Sequence, residues 1–237
     1  MAGKVAKPGE GWWTLVPLCR FILASGSPQR RELLKQAGYA HEIVRPQVAE
    51  PPTAGFASAA AYTQHAAWLK AADVAERLKI AEPAAITVEG TVADHSRGGA
   101  AGGEPASGTL ILSADTVVAI GDEIIGKAAD RADARRILQR LSGTRHEVVT
   151  SLCLWKLPHD FWIGATERTR LQMRRLTDDE IETYLDSGDW QGKAGAYGVQ
   201  HVGDRFMEAI QGSFSNVVGL PMELLERLLS EFLQLKT

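Results

Sequence analysis

The chain has 237 residues, of which 45% are hydrophobic and 23% charged, and this composition excludes collagen-like, coiled-coil and wholly disordered proteins. Its 26 basic and 29 acidic residues leave a net charge of −3, so it offers no general attraction for a nucleic acid polymer or an anionic membrane. Two cysteines form neither a disulfide framework nor a zinc spacing, and no segment resembles a membrane span or a signal peptide, so we expect a cytoplasmic protein.

Strands and helices alternate in the first part of the chain. The apolar runs, turn residues and helix stops predict an irregular extension (1–19), a strand (21–24), a helix from Ser27 to about Gly38, a strand (41–44) and a long helix (56 to about 79). Residues 90–108 contain six glycines and one large aliphatic residue, which predicts a flexible surface insertion.

The same alternation continues after the insertion. We predict strands at 109–113, 147–155, 162–173 and 206–210, a hairpin at 117–125, helices at 130–141, 177–187 and from 221, and a polar turn at 212–216. The pattern predicts an α/β fold, a mixed twisted sheet flanked by helices, in one domain spanning 20–237.

The first candidate site is the turn Ser25-Gly26-Ser27-Pro28-Gln29-Arg30-Arg31, which follows a strand and opens a helix. Arginines in a first helical turn lie at the positive end of the helix dipole, where they are unfavourable unless an anion offsets them. Free backbone N–H groups, serine hydroxyls and guanidinium groups suit a phosphate. The alternative is a capped surface helix with solvated arginines.

The second candidate is Asp115, which we place just after an apolar strand, where α/β sheets hold their ligands. A carboxylate there binds a divalent metal or takes a proton from water, or it simply caps a turn. The hairpin returns Lys127 toward Asp115. Lys70 lies on the apolar stripe of the long helix, either as a snorkelling side chain or as an ammonium held for an anion.

The third candidate is the glycine-rich segment Gly192-Lys193-Ala194-Gly195-Ala196-Tyr197-Gly198. It is either a structural loop or a site where glycines allow close backbone approach and Lys193 supplies a charge. Glu50 adds a carboxylate, while the histidines are too scattered to form a metal set. Together these groups fit metal-assisted chemistry on a phosphate ester or anhydride.

These segments, in this order, resemble the Maf family of nucleoside triphosphate pyrophosphatases. The resemblance implies a fold related to inosine triphosphate pyrophosphatases, often dimeric. It implies hydrolysis of a nucleoside triphosphate between its α and β phosphates, with a divalent cation, Mg²⁺ or Mn²⁺. It is carried by Ile22-Leu23-Ala24-Ser25-Gly26-Ser27-Pro28, Arg30, Leu112-Ser113-Ala114-Asp115-Thr116-Val117-Val118, Gly126-Lys127, Leu141-Ser142-Gly143, Gly192-Lys193-Ala194-Gly195-Ala196-Tyr197-Gly198-Val199-Gln200 and Gly212-Ser213-Phe214-Ser215-Asn216-Val217-Val218-Gly219-Leu220-Pro221.

The resemblance also implies roles for single residues. Asp115 matches the proton acceptor that activates water, and Glu50 matches an acidic residue that joins it as a metal or water partner. Lysines at three places stabilise the charge of the triphosphate, and the serine and arginine side chains of the first turn bind phosphate. The residues concerned are Lys70, Lys127 and Lys193, and Ser25, Ser27 and Arg30.

Base specificity is implied by three positions. Thr116 and Gln200 are similar to family members that act on dTTP and UTP, whereas Gln29 stands where those members usually carry arginine. We therefore expect a dTTP/UTP pyrophosphatase that also takes modified pyrimidine nucleotides. Two alternatives are the same chemistry on another base, such as 7-methyl-GTP, and a nucleotide-binding regulator of septum formation in cell division.

Overall fold

A computed structural model describes residues 19–80, 108–199 and 205–234. The predicted extension before Cys19, almost all of the predicted glycine-rich insertion and Gln200 lie outside these residues. In the part that is described, no helix is long and apolar enough to cross a membrane.

The described residues contain seven strands and six helices. They are β1 (Arg20–Ala24), α1 (Pro28–Gln36), β2 (Glu42–Ile43), α2 (Ala59–Ile80), β3 (Thr109–Ile120), β4 (Glu123–Ile125), α3 (Arg131–Leu141), β5 (Arg145–Leu157), β6 (Phe161–Met173), α4 (Asp178–Asp186), β7 (Met207–Gln211), α5 (Phe214–Val218) and α6 (Met222–Gln234).

The strands form one mixed sheet in the order β2-β1-β3-β5-β6-β7, and β4 pairs with β3. β1 runs parallel to β2 and β3, whereas the other pairs are antiparallel. Helix α2 packs on one face of the sheet, and α1, α3, α4 and α6 supply apolar side chains to the cores on the other face. The predicted α/β fold, a mixed sheet flanked by helices, is therefore confirmed.

The strand that carries Asp115 is longer than predicted. Our prediction ended it at Ser113, but β3 continues to Ile120, so Asp115 lies inside the strand and not after it. The neighbouring strand β5 pairs with β3 as far as Ala119 and supports the polar stretch, for instance where Thr116 Oγ1 lies 2.9 Å from Thr150 Oγ1.

Two further differences from the prediction have a local cause. Helix α2 begins at Ala59, three residues late, because the Ser58 hydroxyl accepts the Ala61 N–H and caps it. The predicted polar turn at 212–216 contains the start of α5. Its N-cap is Ser213, whose hydroxyl accepts the Asn216 N–H.

One edge of β3 is shared by two short neighbours that do not meet. β1 pairs with β3 up to Ser113, and β4 pairs with it from Val118 onward. Residues 114–117 therefore have no strand partner on this edge among the described residues. The loop that leaves β1 enters α1 beside this gap, so a crevice opens at the carboxyl end of β1.

The glycine-rich segment around Lys193 is fixed against the β3–β4 hairpin. The Gly195 N–H donates to the Gly126 carbonyl at 2.9 Å, and Lys127 and Ala194 form an isolated antiparallel bridge. Gly195 has φ +70, and a Cβ atom there would lie 2.6 Å from Val118 Cγ2. This position therefore needs glycine both for its backbone angle and for close packing.

Two glycines of this segment provide a matched pair of substitutions. Gly192 has φ +69, but a Cβ atom there meets nothing within 4 Å. We expect Gly192→Ala to lower the free energy of unfolding by about 1 kcal/mol, the cost of the left-handed backbone alone. Gly195→Ala should lower it by about 2–4 kcal/mol, because overpacking against Val118 adds to that cost. Denaturant unfolding measures both, and equal losses would contradict the close packing.

Candidate active site

A cavity of about 540 Å³ opens beside the gap in β3. It is lined by all of the predicted site residues that lie within the described part of the chain. The fold thus brings together predicted site residues that are up to 168 positions apart in the sequence. The predicted residues in the lining are Ser25, Ser27, Gln29, Arg30, Glu50, Lys70, Asp115, Thr116, Lys127 and Lys193.

A chain of ion pairs runs from the bottom of the cavity to its rim. Lys70 Nζ lies 2.5 Å from Asp115 Oδ1 and 2.9 Å from Glu50 Oε1. Lys127 Nζ lies 2.7 Å from the same Glu50 oxygen. The exposed fraction of the side chain rises from 6% at Asp115 to 49% at Lys127. The two lysines and two carboxylates therefore form one connected group, which is buried at Asp115 and exposed to solvent at Lys127.

The pKa values of the two carboxylates are shifted in opposite directions. Burial raises the pKa of Asp115, and the positive charge of Lys70 opposes this only in part. Partial burial also acts to raise the pKa of Glu50, but hydrogen bonds and charge from Lys127 and Lys70 outweigh it and lower that pKa to about 2. Glu50 is thus firmly ionised at neutral pH, whereas Asp115 is the more basic carboxylate and the better proton acceptor.

Lys70 points inward because α2 packs closely on the sheet at this point. Ala67 and Ala71 are fully buried, and the Ser113 hydroxyl of β3 donates to the Ala67 carbonyl at 2.6 Å. Small side chains let the helix approach, so the ammonium reaches Asp115. The Lys70 side chain is 12% exposed and its ammonium pairs with two carboxylates at the edge of the core, so it does not snorkel to solvent. That this ammonium is held for a bound anion stays a prediction.

Arg30 is half-buried in the wall of the cavity. Its guanidinium donates to the Gly219 carbonyl at 2.8 Å, to Ser25 Oγ at 3.2 Å and to Thr116 Oγ1 at 3.0 Å. Burial lowers the pKa of Arg30, while the charges of Asp115 and Glu50 act to raise it. All three hydrogen-bond partners are neutral, so this side chain fixes the wall and adds positive potential to the cavity.

The first turn has the predicted helix start. Ser27 caps α1, and its hydroxyl accepts the Arg30 N–H at 3.4 Å and donates to Gln29 Oε1 at 3.0 Å. Gln29 thus folds back on the cap. The backbone N–H groups of the α1 N-terminus remain beside the cavity, the arrangement that binds anions.

Lys193 differs from the other lysines of the cavity. In the described chain it contacts neither carboxylate, and its side chain lies along the backbone of Gly198, where an added Cβ atom would be 2.9 Å from Nζ. Absence of a side chain at Gly198 therefore makes the room that Lys193 occupies. Its charge is available to an incoming anion.

The prediction from sequence missed part of the lining. Gly219 has φ +113 and ends α5, so its carbonyl turns toward Arg30. The sequence analysis includes the motif that contains Gly219. It does not predict the role of the Gly219 carbonyl, because a pattern of side chains does not show where a backbone carbonyl points. Valines and one tyrosine provide most of the apolar part of the wall, a surface suited to a planar ring: Val48, Val118, Val148, Tyr197, Val199, Val217 and Val218.

The donor set fits a divalent cation that is shared with a ligand. Asp115 and Glu50 both contact the Lys70 ammonium, so both lie within reach of one cation position. No group of three His, Cys, Asp or Glu side chains in the described ranges could hold a metal by itself. Mg²⁺ is commonly bound by one or two carboxylates together with phosphate oxygens and water, which is the arrangement that these residues allow.

Comparisons with known proteins match most of the chain. The family model described as Maf-like protein matches residues 20–232. A dTTP/UTP pyrophosphatase of Bdellovibrio bacteriovorus is 37% identical over 217 residues, which cover 89% of this chain and 97% of that protein. A dTTP/UTP pyrophosphatase of Acetivibrio thermocellus is 39% identical and covers 91% and 96%, and one of Bradyrhizobium diazoefficiens is 39% identical and covers 86% of each. The chain therefore belongs to the family of Maf-like proteins.

Proposed function

We propose that this protein hydrolyses nucleoside triphosphates, dTTP and UTP above all, to the nucleoside monophosphate and pyrophosphate. The observation that carries the proposal is the buried Asp115, placed with four cationic side chains in one cavity. The names of the relatives supply the substrates. A pool of free nucleotides is found in the cytoplasm, where we expect the protein to act.

Asp115 is the proposed proton acceptor. It takes a proton from a water molecule whose oxygen attacks the α phosphorus. The new bond joins that oxygen to the α phosphorus, and the bond between the α phosphorus and the α–β bridging oxygen breaks. Pyrophosphate leaves with the bridging oxygen and its electron pair. The burial of Asp115 keeps competing water away from the proton transfer.

The cationic side chains stabilise the negative charge of the triphosphate. We assign Lys70, Lys127 and Lys193 to the phosphate oxygens, where negative charge accumulates as pyrophosphate departs. Glu50 and Asp115 would hold a divalent cation, which, when bound, neutralises phosphate charge and polarises the phosphorus centre. Ser25, Ser27 and the α1 N-terminus bind a phosphate, and Arg30 keeps this turn and Thr116 in place.

Base choice is assigned to the apolar wall and the polar groups near it. A cavity of about 540 Å³ lies within the range of small-molecule sites. Thr116 is fixed by Arg30 and Thr150, so its hydroxyl offers a set geometry to a ligand. Together with Gln29 and Gln200, we expect it to select a pyrimidine.

A substrate panel with Mg²⁺ or Mn²⁺ tests the reaction and the base together. We expect pyrophosphate as the first product, with dTTP and UTP turned over faster than 7-methyl-GTP and the other triphosphates. Asp115→Asn should lower kcat by about 10²–10⁴-fold, the usual contribution of a general base, and leave nucleotide affinity within a few-fold.

The matched control is Asp122→Asn, the same substitution at an exposed residue between β3 and β4, outside the lining of the cavity. It should keep most of the activity. Orthophosphate as the first product would contradict cleavage between the α and β phosphates, and an active Asp115→Asn protein would contradict the assigned base. Tight binding of a nucleotide without any turnover would favour the regulator of cell division instead.

We also propose that the protein forms a homodimer. Support comes from strand β6, whose outer edge has no partner before Arg170 among the described strands. Phe161 and Trp162 lie at the start of this stretch and are 41% and 47% exposed. A long unpaired edge with exposed aromatic side chains is typical of an interface between chains.

Light scattering after size-exclusion chromatography should give twice the 25.7 kDa of one chain. Trp162→Glu should shift the protein toward the monomer at micromolar concentration, because a charge would then be buried at the interface. Ala132→Glu adds the same charge on an exposed position of α3 and should leave the mass unchanged. A wild-type protein that remains monomeric would refute the dimer.

A further inference from the structure

Lys70 has an unusual position between the two carboxylates that fit a metal. Its ammonium lies 2.5 Å from Asp115 and 2.9 Å from Glu50, and its side chain is only 12% exposed. A cation placed between Asp115 and Glu50 would lie where this ammonium lies now. The carboxylates are therefore already neutralised when no ligand is bound.

The net charge of the cavity also disfavours a metal ion without a nucleotide. Four cationic residues and two carboxylates line it, namely Arg30, Lys70, Lys127, Lys193, Glu50 and Asp115, an excess of two positive charges. A lone divalent cation would increase this excess and be repelled. A metal–triphosphate complex carries about two net negative charges and would balance it.

We infer that Lys70 keeps the metal position closed until a triphosphate arrives, and that it leaves Asp115 and Glu50 for phosphate oxygens only when metal and nucleotide enter together. This inference rests on the proposed function, since it takes a triphosphate as the ligand. It assigns to Lys70 a second task besides binding phosphate: it prevents metal from binding without substrate.

The neighbours of Lys70 support such a movement. Lys127 also contacts Glu50, so that carboxylate keeps a partner when Lys70 moves away. Lysine is suited to the exchange because its ammonium is a point charge on a flexible stem and needs no fixed fork geometry. Arg30, in contrast, is held by three hydrogen bonds to neutral groups and has no such freedom.

The test measures Mn²⁺ binding to the full chain without nucleotide, from the electron paramagnetic resonance signal of free Mn²⁺. We expect weak binding by the wild type and binding that is tighter by about tenfold or more in Lys70→Gln, because a neighbouring positive charge is removed and both carboxylates are released. Adding Asp115→Asn to Lys70→Gln should abolish the gain and so locate the metal.

Lys193→Gln is the matched control. It removes the same charge from the same cavity, but Lys193 contacts neither carboxylate within the described residues. We expect a change in Mn²⁺ affinity below about threefold, in line with screened interactions at longer range. Equal gains in Lys70→Gln and Lys193→Gln, or no gain in Lys70→Gln, would overturn the inference.

A second measurement adds dTTP with a methylene group in place of the α–β bridging oxygen. In the wild type this analogue should increase Mn²⁺ affinity more than in Lys70→Gln, because only the wild type must first release Lys70. Equal increases would overturn the inference. If the analogue does not bind at all, the proposed function fails, while the measurements without nucleotide still decide the task of Lys70.

Removal of Lys70 leaves Asp115 buried without its partner, which destabilises the fold. Circular dichroism and a melting curve therefore accompany each variant. If Lys70→Gln does not fold, Lys70→Met retains the apolar stem and takes its place, with the same expected gain in Mn²⁺ affinity. A folded Lys70→Met that binds Mn²⁺ no more tightly than the wild type would overturn the inference.

Discussion

The site depends on an interruption in strand pairing. β3 continues past the end of β1, and β4 joins its edge only from Val118, so residues 114–117 have no strand beside them. A middle strand of a sheet normally has its edges filled by neighbours, which leaves no room for a ligand. Here the opening accommodates a cavity, and the strand contributes Asp115, Thr116 and Val118 to its lining.

Electrostatics then determine what surrounds the opening. A carboxylate that is 4% exposed is costly unless charge and hydrogen bonds compensate. Lys70 provides this compensation from α2, and Glu50 and Lys127 extend the ion pairs to the rim. The same pairs that stabilise a buried charge also assemble the cations that a triphosphate requires. Stability and the proposed chemistry thus use one set of interactions.

Backbone geometry does the remaining positioning. Gly195 lets the loop that carries Lys193 lie against Val118, and Gly219 ends α5 with its carbonyl toward Arg30. Asn216 fixes α5 to the sheet, because its buried amide donates to the Val148 carbonyl and to Thr169 Oγ1. These contacts fix the segments around Gly195 and Gly219 to β3, β5 and β6. Neither segment contributes the proton acceptor.

The sequence by itself determined the α/β class, the order of the elements apart from α5, and the candidate site residues, because apolar periods, capping residues and glycines are local signals. Asp115, Lys70 and Lys193 were identified in this way, and so was the helix cap Ser27. Only the tertiary structure decided that Asp115 lies inside a strand, that Lys70 bridges two carboxylates and that Arg30 fixes a wall. The physical reason is that partners such as Lys70 and Asp115 are 45 positions apart. Their contact depends on how closely α2 packs on the sheet and on where β1 stops, and no local pattern encodes either.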